Sequence, residues 1–115
     1  MSVRVLGIES SCDETAAAVC EAEGEKRKIL SNAVASSMDF HARFGGVIPE
    51  IASRAHLEAL SPVVKEALSS SSLSLSDIDA IAVSSGPGLA GCLAVGTSGA
   101  KGLALGSGKP FFALN

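Results

Sequence analysis

The chain has 115 residues, 47% of them apolar, with four Phe but no Trp or Tyr, nine Lys or Arg against twelve Asp or Glu, and a net charge of −3. That length reads as one domain whose core is built from Ala, Val, Leu and Ile, and the negative balance excludes a basic nucleic-acid-binding surface as this segment's main role. Three scattered cysteines argue against a disulfide framework and for a reducing compartment; with no basic-then-apolar leader and no uncharged apolar run near ~18 residues, the expectation is a cytoplasmic protein without a membrane partner.

In chain order, residues 3–8 (VRVLGI) form a short apolar run with β-branched weight, the pattern of a buried strand. It breaks into residues 9–15, ESSCDET, which hold three carboxylates, two serines, a threonine and a thiol. Charges next to a core are costly unless they are used. Hydroxyls and backbone N–H groups in such a turn hold a phosphate, and carboxylates hold a cation or water. The plainer alternative is a solvated hairpin turn. Residues 16–20 and 29–34 are apolar again, and the charged stretch 21–28 centred on Gly24 reads as a solvated hairpin tip.

Residues 36–47 are loop-like, and Pro49 is pre-set for the first turn of a helix over residues 50–68. Leu57, Leu60, Val64 and Leu68 recur as one apolar face, beside a row of small residues, Ala52, Ala55, Ala59, Val63 and Ala67. Pro62 is expected to kink or loosen this helix. A serine-rich loop, 69–76, leads to a buried strand at 78–83. Then SSGPGLAG, residues 84–91, opens a helix that carries Gly91, Gly96, Gly99, Gly102 and Gly106. The last four recur at intervals of three, three and four and are expected roughly along one face. Pro110 keeps the helix ended, and residues 111–114 form a last strand.

The order β-β-β-α-β-α-β predicts an α/β fold: an antiparallel start followed by parallel strands with right-handed helical crossovers. This is the ribonuclease-H-like half-domain with a mixed sheet, as in actin, Hsp70 and sugar kinases. Residues 9–15 and 84–91 then lie at the same edge of one sheet, where α/β folds bind ligands. Ser85, Gly86, Gly88 and Gly91 make an anion cradle at a helix start, distinct from the Walker A and dinucleotide motifs. A purely structural strand-to-helix corner is the alternative for that turn. His41 and His56 have no cysteine at ligand spacing, so no zinc pair is expected, and His56 reads as a packed or surface histidine. Cys12 reads as a small buried residue.

The ESSCDET loop resembles the E-T-S-C-D-E-T loop of the TsaD family, the tRNA threonylcarbamoyladenosine transferases formerly labelled O-sialoglycoprotein endopeptidases. Ser10 stands where the family usually has threonine. GGVIPEIASRAH, residues 45–56, is similar to the family's G-G-V-[VI]-P-E-[LI]-A-S-R-x-H, and residues 77–93 resemble its D-I-D-A-I-A…G-P-G-L-x-G. Three motifs in the family's order cover nearly the whole chain and are of the bacterial type. The resemblance implies an N-terminal lobe spanning residues 1–115 of an actin-like fold, with a C-terminal lobe beyond this chain. It implies transfer of a threonylcarbamoyl group from threonylcarbamoyl-adenylate to N6 of adenosine 37 in tRNAs reading ANN codons.

In that reading Asp13 and Glu14 are the catalytic carboxylates, Ser11 hydrogen-bonds phosphate, and Ser85, Gly86, Gly88 and Gly91 supply further phosphate or nucleotide contacts. One divalent metal, iron or zinc, and ATP or the acyl-adenylate are cofactors of the full-length protein. No metal ligand is expected in this chain, because the family's H-x-x-x-H falls just after the last strand. The chain alone is therefore expected to be inactive. The implied partners are tRNA and the family's non-catalytic relative, TsaB, or a second copy, through the two helices, with Ala55, Ala59, Gly99 and Gly102 at the contact. Three other readings compete: a non-catalytic dimerisation scaffold, the old metallopeptidase label, which lacks its H-E-x-x-H here, and a sugar or acetate kinase.

Overall fold

The computed structural model describes residues 2–11, 14–36, 49–88 and 90–115, and of residues 49–53 the backbone only. Its elements run β1 (Ser2–Glu9), β2 (Glu14–Glu23), β3 (Lys26–Ser36), α1 (Pro49–Ser70), a 3₁₀ turn (Leu75–Asp77), β4 (Ala80–Ser84), α2 (Ala90–Ser107) and β5 (Phe111–Leu114). The five strands form one sheet in the order β3-β2-β1-β4-β5. β1 pairs antiparallel with β2, and β2 with β3, while β1–β4 and β4–β5 are parallel. The α/β order and the mixed sheet predicted from the pattern are both present.

Strand alternation decides which side is buried. Leu6, Ile8, Ala17, Val19, Ala33, Ile81 and Val83 point to one face and are at most 7% exposed. Both helices lie on that face, α1 over β2 and β3, α2 over β4 and β1. The two helical crossovers step in the same direction across the sheet, α1 from β3 to β4 and α2 from β4 to β5, so right-handed connections place both helices on one side. The opposite face carries Val3, Ile29, Val34, Phe112 and Leu114, each about half exposed or more. Ser31 fastens α1 to the sheet by donating its hydroxyl to the Ala67 carbonyl at 2.6 Å. Arg4 and Asp79 join β1 to the start of β4. The Arg4 N–H donates to the Asp79 carboxylate, and the Asp79 N–H to the Arg4 carbonyl, both at 2.8 Å.

Three expectations need correction. The hairpin end at residues 21–28 is solvated, exposed from Glu23 to Lys28, but its turn is shorter than expected: the ladder continues to Glu23↔Lys26, and only Gly24 and Glu25 turn. Glu21 faces Lys28 and Glu23 faces Lys26, so opposite charges pair across the strands, and Gly24 supplies the left-handed φ of +60° that a two-residue turn needs. In α1 the inward stripe is His56, Val63, Val64 and Ala67, with Leu60 and Leu68 partly buried, while Leu57 is 68% exposed. The buried stripe thus draws on both rows, Val63 and Ala67 from the small one and Val64 from the leucine one, and leaves Leu57 outside. The helix also runs on through Pro62 to Ser70.

The third correction concerns the glycines of α2. They do not share one face. A Cβ at Gly96 would strike Ser10, and one at Gly99 would strike Leu60 of α1, whereas Gly102 and Gly106 have open space. Steps of three residues fall about 60° short of a full turn, so the row winds from sheet to neighbouring helix to solvent. The first two positions are thus taken up by packing within the chain.

Candidate functional site

β1 and β4 are parallel neighbours, with Ile8 beside Val83, so both strands end at the same edge of the sheet. What leaves that edge is the polar turn on one side and the glycine turn on the other. The two touch. An added Cβ at Gly88 would lie 2.6 Å from both the Cβ and the carbonyl oxygen of Ser11, and 2.9 Å from its Cα. No side chain other than hydrogen fits there, so Gly88 is a condition of the contact and not merely a flexible point. One residue earlier, Ser10 is fully buried and its hydroxyl donates to the Cys92 carbonyl of α2 at 2.7 Å. The polar turn is therefore seated on the first turn of that helix.

Glu9 ends β1 and gathers the hydroxyls around it. Its carboxylate accepts the backbone N–H of Ser11 in a short hydrogen bond. Burial raises its pKa, but hydrogen bonds from the Ser11 and Ser84 hydroxyls and from the Ser11 N–H, with His56 nearby, outweigh that and leave it below the ordinary glutamate value of 4.5. A carboxylate lowered in the folded state stabilises the fold above its unfolded pKa, and that contribution disappears as pH falls through the lower folded value. Urea unfolding between about pH 6 and about pH 3 should therefore show an acid-side loss of stability that Glu9→Gln reduces. An unchanged acid slope in the variant would remove Glu9 from the account.

Below the two turns, the uncovered sheet face forms a shallow cleft of about 270 Å³ floored by Gly7, Ala16, Ala82 and Ser84, with Glu9 at its rim. Its small side chains leave room for a flat group against the strands.

The residues singled out from the sequence distribute as follows. Ser11 is half-buried at the contact with Gly88, and Glu14 is exposed as the first residue of β2. Gly86 lies beside Asn115, whose Oδ1 is 3.4 Å from the position of a Cβ there, and Gly91 is exposed in the first turn of α2. Ser85 is engaged at the sheet edge: its N–H and hydroxyl both donate to the Leu114 carbonyl, at 2.7 and 3.0 Å. That ties the glycine turn to the end of β5. Asp13, Cys12, His41 and the stretch 45–48 lie outside the described residues, as does Leu89. Ala55 and Ala59 are half-buried on α1, Gly99 is packed against Leu60, and Gly102 is exposed. Among the described residues no three His, Cys, Asp or Glu side chains come together as a metal site. Among them, too, no helix is long and apolar enough to cross a membrane.

The sequence reading missed two residues. Thr15 is not part of the turn but an inward-facing residue of β2, 2% exposed, and its hydroxyl is 2.5 Å from Nδ1 of His56, which is 1% exposed. The available signal was phase: Thr15 alternates with the buried Ala17 and Val19, and His56 lies on the stripe of Val63 and Ala67. Glu9 was counted among the turn's three acids but given no role of its own, Asp13 and Glu14 being preferred, yet its carboxylate closes back on Ser11.

A model of the family described as "TsaD: tRNA N6-adenosine threonylcarbamoyltransferase" matches residues 28–115. Curated relatives carry the same description. The chain is 66% identical over 111 residues to the tRNA N6-adenosine threonylcarbamoyltransferase of Bifidobacterium adolescentis, covering 96% of this chain and 31% of that protein. It is 56% identical over 115 residues to the one from Jannaschia sp., covering 100% of this chain and 32% of that protein. It thus spans about a third of the length of these relatives. Among solved structures, YeaZ from Pseudomonas aeruginosa superposes with a TM-score of 0.70 at 23% identity, over 98% of this chain and 44% of that one. At that identity the likeness bears on the fold, which is the actin-like, ribonuclease-H-like one.

Proposed function

This chain belongs to the TsaD family of tRNA N6-adenosine threonylcarbamoyltransferases, and from that premise we propose that it forms the N-terminal lobe of such an enzyme and one wall of its acyl-adenylate site. The observation that carries this is the contact of Gly88 with Ser11, which joins the acidic and glycine turns into a single cradle. In the reaction, N6 of the tRNA adenosine attacks the carbamoyl carbon of threonylcarbamoyl-adenylate. The new C–N bond forms as the C–O bond to phosphate breaks, AMP leaves, and the amine loses a proton. The N–H groups at the start of α2 lack intrahelical partners and sit at the positive end of the helix, so they favour the departing phosphate. Ser11 donates to the same phosphate, and Asp13 and Glu14 orient the amine or a water against it. The metal that the family resemblance implies, iron or zinc, would neutralise the leaving group, with its ligands supplied from elsewhere in the intact protein. With tRNA as its substrate, the intact protein of this proposal works in the cytoplasm.

In the intact protein, Asp13→Ala and Glu14→Ala should cut transfer severely without loss of folding, because an exposed charge such as that of Glu14, at the first residue of β2, adds little to stability. Quantifying threonylcarbamoyl-adenosine in tRNA, beside circular dichroism of the same samples, checks both halves. Variants that turn over like the parent would reduce the turn to a charged corner. This chain by itself, supplied with all partners and tRNA, should form no product.

The helical pair is proposed as the interface with the non-catalytic relative or with a second copy. Leu57, Leu60, Val64, Leu68 and Leu103 line an apolar groove of about 370 Å³ between α1 and α2, open to solvent along Leu57. Gly102 has open space around its Cα, so Gly102→Leu should leave the fold intact while blocking close approach of another helix. Sedimentation should show association lost in the variant and melting unchanged; association at parent strength would move the interface elsewhere.

A further inference from the structure

We propose that His56 and Thr15 act as a buried positioning pair that fixes the departure of the catalytic turn from β2; this rests on the transferase reading above. Thr15 Oγ1 and His56 Nδ1 are 2.5 Å apart, and both residues are at most 2% exposed. They lie at the inner face of the sheet beside the apolar Ala17 and Val19 of β2 and Val63 and Ala67 of α1. If packing alone were at stake, valine and leucine would fill these places without the cost of burying a hydroxyl and an imidazole. A hydrogen bond adds what packing lacks, which is direction.

The direction matters because of where the pair is. Glu14, the first residue of β2, directly precedes Thr15, so whatever fixes Thr15 fixes the backbone from which Glu14 projects. His56 in turn is held by α1, which packs on β2 and β3 and contacts α2. The other limb of the turn is anchored separately, Ser10 to the Cys92 carbonyl and Ser11 to Glu9. The turn is therefore pinned at both ends, by α2 on the β1 side and by α1 on the β2 side. Both side chains are buried, and His56 also lies near the Glu9 carboxylate at the end of β1, so the pair is a positioning device that steadies the strand ends on either side of the turn.

The test uses Thr15→Val, which keeps shape and loses the hydroxyl, against Thr15→Ser, which keeps the hydroxyl, in the intact protein that carries this chain. Amide exchange of residues 10–14 should accelerate about tenfold in Thr15→Val and remain near the parent rate in Thr15→Ser, with the amides of Leu6 and Val19 unchanged in both. In the transfer assay, kcat should fall about tenfold or more in Thr15→Val with KM for tRNA unchanged, and Thr15→Ser should restore it. The double variant Thr15→Val, His56→Leu removes the hydroxyl and the imidazole together and should leave kcat as low as Thr15→Val alone. Uniform acceleration of exchange across the sheet, or a double variant that recovers rate together with stability, would make the pair a packing feature and overturn the proposal. A parent protein that transfers nothing overturns the transferase reading instead, and the exchange data then judge the pair alone.

Discussion

Gly88→Ala should lower the affinity of the intact protein for an adenylate by about a hundredfold while leaving its melting temperature nearly unchanged. Gly88 is exposed, so no core contact is lost on substitution. The new Cβ, however, falls 2.6 Å from the carbonyl oxygen of Ser11 and 2.9 Å from its Cα, where real Cβ atoms do not approach. Those obstacles are backbone and cannot swing aside as the tip of a side chain can. The two turns must separate, and donors on one side of the phosphate then no longer converge with those on the other. Calorimetric titration with AMP or a non-hydrolysable acyl-adenylate reads the effect directly. Parent-like affinity would show that the contact is incidental to ligand binding. Gly86→Ala is the internal comparison: its Cβ meets only the Asn115 side-chain oxygen, at 3.4 Å, which a small rotation relieves.

The difference between these two glycines was not legible in the sequence, and the reason is physical. Motif spacing shows that bare backbone is wanted somewhere between residues 84 and 91, but which glycine is pressed depends on the tertiary meeting of two turns separated by over seventy residues. The order of elements and the antiparallel start followed by parallel strands were legible because strands alternate with a period of two and helical crossovers join parallel strands. The hairpin tip was drawn too long because Glu23, Lys26 and Lys28 are solvent-facing charges that look like loop in one dimension and stand in register across two strands in the other. Leu57 was misplaced for the converse reason: an apolar residue at helical spacing fits two stripes of α1, and the sheet takes the one holding His56. That histidine looked like a surface or packed residue because its partner, Thr15, had been assigned to a polar turn. Once β2 is seen to begin at Glu14, Thr15 comes into phase with the core and the pair follows.

The fold itself depends most sharply on Gly96. This residue is buried in α2, and a Cβ there would overlap the Ser10 hydroxyl, lie 3.1 Å from Ser10 Cβ and touch Val83 at 3.6 Å. Ser10 has nowhere to retreat, being fully buried with its hydroxyl on the Cys92 carbonyl. Gly96→Ala should therefore destabilise by about 3 kcal/mol, as an overpacked core position does, even though alanine is the better helix former. Gly102→Ala reports the helix-propensity term by itself, since nothing lies within 4 Å of its Cβ, and should stabilise by up to ~1 kcal/mol. The opposite signs at two glycines of one helix distinguish close packing from general loosening. Adding Ser10→Ala to Gly96→Ala removes the overlapping oxygen but leaves the 3.1 Å contact, so part of the loss should return. Chemical denaturation of the four proteins measures all of this. A Gly96→Ala protein as stable as the parent would mean that α2 does not rest on the polar turn, and the seat of that turn would have to be sought elsewhere.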